Sequence, residues 1–475
     1  MTRARHDGMY LLMLGCLVFI LLGAAMEKAS SVPMLDFKGH YYPARCLIQH
    51  CDPYVESEVL RVYQAEEADH PLDNAIVQQI ATRYIYLPTA FSITVPLAML
   101  PWGPSHILWM ILTFGSLIFA SVLIWNLGAD DAPIISGILI GFLLANSELL
   151  IITGNAAGIA ISLCAIAVWC FLRERFVPAG ILCFAISLAL KPHDTGLVWF
   201  YFLLAGGVFR KRALQTLMAT VALSLPAVLW VWRVAPHWMQ EWRCNMLAFS
   251  VHGGLTDPGP ASTAHGLGMM INLQTAISFF RDDPRIYNFA CYVLCTPLLL
   301  LWVFVTLRSR PTQKRAWLAL AAIAALSMLP VYHHLYDAKL LLLTVPACAM
   351  LWAEGGLIAW LALLVNSAAF VLTSDLPWAI LLGLIKSMHL SANGLSAQMW
   401  MAALTLPTPL ILLVVGIFYL WAYVSRSSAS AEPAESGSHE ETPDAPRQPA
   451  SCLKLKKPLY RPIPSLPGVQ DRKRD

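Results

Sequence analysis

Residues 9–26 read Met-Tyr-Leu-Leu-Met-Leu-Gly-Cys-Leu-Val-Phe-Ile-Leu-Leu-Gly-Ala-Ala-Met, a run without a single charge that follows Arg3 and Arg5. As a helix this run is roughly 27 Å long, close to the thickness of a bilayer's hydrocarbon core. No small-residue cleavage site of the A-x-A kind follows it, so it reads as a retained membrane span and not a signal peptide. The same kind of run recurs at 105–127, 134–152, 155–172, 177–190, 195–209, 213–232, 289–307, 316–332, 339–352, 356–373 and 402–424, which with the first makes about twelve. The composition agrees: of 475 residues 57% are hydrophobic and 13% charged, where a soluble domain has roughly a quarter charged. The mean hydropathy is +0.60. These values exclude an ordinary water-soluble enzyme and predict an all-α polytopic membrane protein. The net charge of +3, from 32 basic and 29 acidic residues, is too small and dispersed for a nucleic-acid partner.

Orientation follows from where basic residues sit in short loops. Arg173 and Arg175, then Arg210, Lys211 and Arg212, then Arg308, Arg310, Lys314 and Arg315 mark three cytoplasmic loops, and both termini then fall on the cytoplasmic side. Parity closes only if residues 85–102, broken by Pro88, Pro96 and Pro101, form a re-entrant or membrane-surface helix. Residues 376–390, interrupted by Lys386 and His389, read the same way. The long first extracytoplasmic loop then covers 27–104, and its polar part, 27–84, carries nine acidic against five basic residues. On the same outer face lie the Lys191–Asp194 turn, the loop 233–288 and the His333–Asp337 turn. The transmembrane domain covers 1–424. From 425 to 475 the chain turns rich in Pro, Ser, Glu and Lys, a composition that cannot offset its ordering entropy, so a disordered cytoplasmic tail is expected. Of eleven cysteines, Cys46, Cys51 and Cys244 face the outer side. A Cys46–Cys51 disulfide is not favoured, because Cys46 looks helical and a spacing of five is awkward on a helix.

The chemistry-bearing residues gather at the outer ends of the spans. Asp36, in Met34-Leu-Asp-Phe-Lys-Gly-His-Tyr-Tyr42, has two readings: a partly desolvated general base at the bilayer edge, or a helix cap. Lys191, followed by Pro192, His193 and Asp194, is either a cation for a phosphate or a lysine snorkelling to water. His333 and His334 suit a phosphate contact or a proton relay as well as they suit packing, and Asp337 reads as a helix cap. Tyr41, Tyr42 and Tyr54 are positioned to stack on a sugar, or to sit at the interface as tyrosines do. Asn155 is a sugar-hydroxyl partner or a turn residue. Neither Asp130-Asp131 nor Asp282-Asp283 has facing partner ligands, and no cysteine and histidine spacing suggests zinc, so neither a metal nor any other cofactor is expected.

Several of these pieces follow a known order. Asp36-Phe37, Tyr41-Tyr42, Ala44, Leu47 and Asp52-Pro53-Tyr54 resemble the opening motif of the family 87 glycosyltransferases. The same order continues with Tyr86-Leu-Pro88, Pro96-Leu, Leu100-Pro101, Gly154-Asn155, Ala179-Gly180, Leu190-Lys191-Pro192, Pro330, His333-His334 and Tyr336-Asp337. The resemblance covers roughly residues 10 to 380, and His50 departs from it where the family commonly has Gly. It implies a GT-C fold in the plasma (inner) membrane with its active site on the extracytoplasmic face. It further implies a polyprenyl-phosphate sugar as donor, most plausibly mannose, and a glycolipid or glycan of the cell envelope as acceptor. Asp36 would be the base, with His333 or His334 beside it, and Lys191 and His193 would hold the donor phosphate. A lipid-linked-sugar flippase or transporter is the alternative from another class. It would show related halves and charges near the membrane midplane, and no internal repeat is visible. A GT-C ligase using a diphosphate-linked donor is the alternative within the fold.

Overall fold

The opening apolar run folds as one helix, Arg3–Ala29, and glycine sets its path. A Cβ at Gly15 would overlap the carbonyl oxygen of Gly141, and one at Gly137 would overlap that of Gly8. The Arg3–Ala29 and Pro133–Ala145 helices therefore pack backbone against backbone, the contact that small residues permit when lipid gives no hydrophobic drive to associate. On the other face Met13, Leu14, Leu17 and Leu21 are exposed.

A computed structural model describes residues 2–66, 75–262, 270–387, 399, 403 and 406–428. The tail beyond Ser428, with His389 and Glu67, Asp69 and Asp73 of the first loop, lies outside the described residues. Among the described residues there is no strand, only an isolated bridge between Met270 and His334. The architecture is all-α, and among the described residues seven helices are long and apolar enough to cross a membrane: Arg3–Ala29, Trp102–Gly128, Pro133–Thr153, Gly207–Val234, Pro284–Arg308, Leu335–Glu354 and Pro407–Arg426. The twelve spans expected from the sequence are not reached on that criterion. Five of them form helices of 13 to 17 residues, Ala157–Leu172, Val177–Leu190, Pro192–Leu204, Gln313–Leu326 and Gly356–Leu372, short of the about 20 that a crossing requires. Breaks at Lys191-Pro192 and at Gly355-Gly356 shorten them.

Of the short helices, Ala157–Leu172 and Gln313–Leu326 lie inside, whereas Gly356–Leu372 exposes Leu357, Trp360 and Leu364. Gln313–Leu326 is buried from Ala316 onward, and six of its residues are alanine, which lets neighbouring helices approach from all sides. Beside it the 3-10 helix Leu335–Thr344 leads directly into Val345–Glu354, and both are enclosed. The long helices Gly207–Val234 and Pro284–Arg308 instead expose Leu217, Val221, Leu225, Phe289, Val293 and Leu300.

The first loop folds against this bundle. Its main helix, Leu35–Ile48, buries ten residues, with Phe37 stacked on Trp109 at 4.5 Å. Residues 85–102 form a 3-10 turn at Pro88–Ala90, a short helix at Phe91–Ala98 and a fresh start at Trp102; Pro88 and Pro101 stand at these boundaries, while Pro96 is carried inside the short helix. The disulfide expectation is corrected: Cys46 and Cys51 are bonded. The helix ends at Ile48 and His50 takes a φ of 61°, which turns the chain back and brings the two Cα atoms to 5.0 Å. A left-handed residue at this turn is what glycine would supply without strain, so the family's usual Gly and the departure to His50 concern one backbone requirement. Farther along, the helix Trp238–Ser250 is tied to the first loop by Asn245 Nδ2, which donates to the carbonyls of Tyr54 (2.9 Å) and Tyr84 (3.0 Å).

Candidate active site

Asp36 sits in the first turn of Leu35–Ile48, and the residue that caps that helix is Met34, without a side-chain cap bond. The capping reading of Asp36 is therefore replaced. Its carboxylate turns away from its own helix and accepts from Asn155 Nδ2 at 2.7 Å. Glycine makes this meeting possible. Gly154 has a φ of 64°, and a Cβ there would come within 2.5 Å of Met34 Sδ and 2.9 Å of Phe37 Cβ. The turn is fixed from two more sides, by Met34 N–H donating to the Ile152 carbonyl at 2.7 Å and by Trp109 Nε1 donating to the Gly154 carbonyl at 2.8 Å.

From Asn155 the polar chain runs on. Its Oδ1 accepts from Ala157 N–H at 2.9 Å and from Lys191 Nζ at 3.3 Å. Lys191 is also 2.5 Å from Asp337 Oδ1 and 3.2 Å from Asp194 Oδ2. Asp337 is the third residue of the Leu335–Thr344 helix, whose cap is His334, and its Oδ2 accepts the His334 backbone N–H at 2.7 Å as one half of a capping box. A lysine held by two carboxylates cannot simply be snorkelling to water, and Lys191 is 4% exposed. Burial raises the Asp36 carboxyl to about 6, against the Asn155 hydrogen bond and the Lys191 charge, which both pull it down. His40, one turn further along the helix, is wholly buried beside Tyr86 and held neutral, down to about 3, by burial and then by Lys191.

These groups open onto one cavity of about 630 Å³. Asp36, Asn155, Lys191, His193 and His334 line it, so five of the residues singled out in the sequence meet there. The others do not reach its wall. His333 is wholly buried behind it, with Nε2 at 3.5 Å from Asp194 Oδ1. Tyr41 donates its hydroxyl to the Leu100 carbonyl at 2.9 Å, Tyr54 donates to the Tyr86 carbonyl at 3.0 Å, and Tyr42 packs edge-on against Tyr63. These three tyrosines are framework beneath the cavity, since packing the first loop on the bundle needs large rings more than the cavity does.

Sequence reasoning missed Tyr86, Tyr332, Arg83 and Trp242, which also line the cavity. Tyr86 lay within the Tyr-Leu-Pro element and was open to discovery there. Trp242 arrives from the distant Trp238–Ser250 helix, donating to the Ile85 carbonyl at 2.8 Å, and no local pattern marks it.

Apolar helices of spanning length beside an acid–amide–lysine chain at one cavity, its amide and lysine buried, define a polytopic membrane protein with a built polar site. Its lineage is specific: the model for glycosyltransferase family 87 matches residues 84–331, about half of the chain, and the protein belongs to that family. It is a membrane glycosyltransferase by family. The matched segment contains Tyr86, Asn155, Lys191, His193 and Asp194. No curated protein and no solved structure matches the chain.

Proposed function

We infer that the protein moves a sugar, mannose by family analogy, from a polyprenyl-phosphate carrier to a hydroxyl of a glycolipid or glycan on the extracytoplasmic side of the plasma membrane. The observation that carries this reading is the Asp36 carboxylate, held at 2.7 Å by Asn155 with its partner Lys191 one bond beyond, at the wall of a cavity lined by Leu35, Ile80, Ile85, Leu87, Ile152 and other apolar residues. An apolar cavity with a few convergent polar groups is what a lipid-linked sugar requires.

The chemistry follows from the donor. A polyprenyl phosphate leaves as a stable anion, so no strong general acid is needed. Asp36 takes the proton of the acceptor hydroxyl as its oxygen bonds the anomeric carbon and the carbon–phosphate-oxygen bond breaks, a single displacement with inversion. A base held near 6 by burial is ionised at neutral pH yet basic enough to assist. His193 and Lys191 lie on the side of the cavity assigned to the phosphate, and His334 lines it close by, joined to Tyr332 through its ring. The GT-C fold and cytoplasmic termini belong to the same reading.

The test is a donor panel offered to the purified protein in liposomes. Turnover of a monophosphate-linked polyprenyl sugar, with none from nucleotide sugars, is expected. Turnover restricted to a nucleotide sugar or to a diphosphate-linked oligosaccharide would overturn the assignment.

A further inference from the structure

The polar cluster beside Asp36 is short of positive charge. Asp36, Asp194 and Asp337 bring three carboxylates against the single ammonium of Lys191. Arg83, which also lines the cavity, is already paired with Glu56. Asp194 is 1% exposed, yet neither of its oxygens makes an aligned hydrogen bond among the described residues. Lys191 Nζ lies on the Oδ2 side. Around Oδ1 stand His193 Nε2 at 3.2 Å and His333 Nε2 at 3.5 Å.

His333 sharpens the problem. Its Nδ1 is 3.1 Å from the Val331 carbonyl, which can only accept, so the proton is on Nδ1. The other ring nitrogen, Nε2, points at a carboxylate oxygen of Asp194. The side chain is 0% exposed, and Nε2 has no hydrogen-bond partner among the described residues.

We propose that His193 Nε2, Asp194 Oδ1 and His333 Nε2 hold a divalent transition metal, zinc by ligand preference, with a fourth position open to the cavity. Tetrahedral bonds of about 2.0–2.1 Å set ligand atoms about 3.3–3.5 Å apart, and the two observed spacings are 3.2 and 3.5 Å. Two imidazoles and a carboxylate suit zinc. A carbonyl on the far nitrogen of a ligating histidine fixes its tautomer and orientation, the part Val331 plays for His333. The His193 side chain is 43% exposed and lines the cavity, so the free position faces the cavity. The ion adds two positive charges beside three carboxylates that share one ammonium, so an anionic phosphate no longer meets a wall dominated by carboxylates. That last role rests on the polyprenyl-phosphate reading; the metal site does not. The inference goes against the metal-free expectation from sequence, which found no ligand spacing because His333 lies on a separate segment from His193-Asp194.

Cobalt(II) added to the full-length, chelator-stripped protein in detergent is the probe. About one cobalt per chain, with the strong visible bands of a four-coordinate site and displacement by zinc, is the expected result. His193→Ala, on a partly exposed side chain, and His333→Gln should each weaken cobalt binding by about tenfold or more, while eluting as monodisperse protein. His252→Ala should leave the spectrum unchanged, although its imidazole also faces two carboxylates, Asp257 and Asp282. Absence of cobalt uptake by the wild type would overturn the proposal and leave His333 as an imidazolium paired directly with Asp194. So would an unchanged spectrum in monodisperse His193→Ala. Neither result involves a sugar donor, so a failed metal site and a failed transferase reading are told apart.

Discussion

Replacing Asp36 with Asn should make the protein more stable, by an amount that depends on pH. The Asp36 carboxyl is raised by burial from 3.8 to about 6. At about 1.36 kcal/mol per pH unit, holding it ionised in the folded state costs up to about 3 kcal/mol at pH 8. Water in the cavity screens part of this, so about 1–3 kcal/mol is expected. The sign follows from linkage. A folded-state value above the unfolded one means the stability contribution is fully present below the unfolded value and is lost as pH rises through about 6. The neutral amide of Asp36→Asn escapes the loss, and its carbonyl oxygen still accepts from Asn155 Nδ2. The melting temperature of Asp36→Asn in detergent should therefore exceed that of the wild type by roughly 1–3 °C at pH 8. The gap should shrink to about half near pH 5. A variant less stable than the wild type at pH 8, or a gap that does not change with pH, would refute the reasoning that Asp36 is a strained, desolvated carboxylate.

Lys191→Met leaves Asp194 and Asp337 facing each other without their shared cation, and should cost about 3–5 kcal/mol, read as a large fall in melting temperature and yield. Gly15→Leu should separate the Arg3–Ala29 and Pro133–Ala145 helices, because even a Cβ there would overlap the Gly141 carbonyl, and aggregation on size-exclusion chromatography is the expected readout. With Cys244 replaced, a cysteine at the exposed position 250 should label from outside intact cells and one at the exposed position 313 should not; the reverse pattern would invert the proposed orientation. Turnover should fall as pH drops through about 6, where Asp36 gains its proton, and a flat profile down to pH 5 would speak against a carboxylate base.

Much of this was open to reading from the sequence because it depends on local rules. Apolar runs gave helices, and Pro88 and Pro101 stand at breaks within residues 85–102. Span number was less legible. Helices enclosed by other helices, such as the alanine-rich Gln313–Leu326, look like lipid-crossing segments in composition while being too short to cross at right angles. The Cys46–Cys51 bond was missed because helical periodicity was extended past the point where His50 turns the chain back. At the site, Asp36, Asn155 and Lys191 were each visible, but the hydrogen bonds that join them cross three segments of the chain. The three tyrosines were misplaced for a related reason: a residue type suited to stacking on sugars is equally suited to packing a loop on a bundle, and burial decides between the two.

The most direct test of the central claim measures transfer of labelled mannose from synthetic polyprenyl-phosphate-mannose by purified protein in liposomes containing envelope glycolipids, comparing the wild type with Asp36→Asn at matched, folded amounts. The account predicts transfer by the wild type and its loss in a variant that is at least as stable as its parent. Equal transfer by both proteins would contradict it.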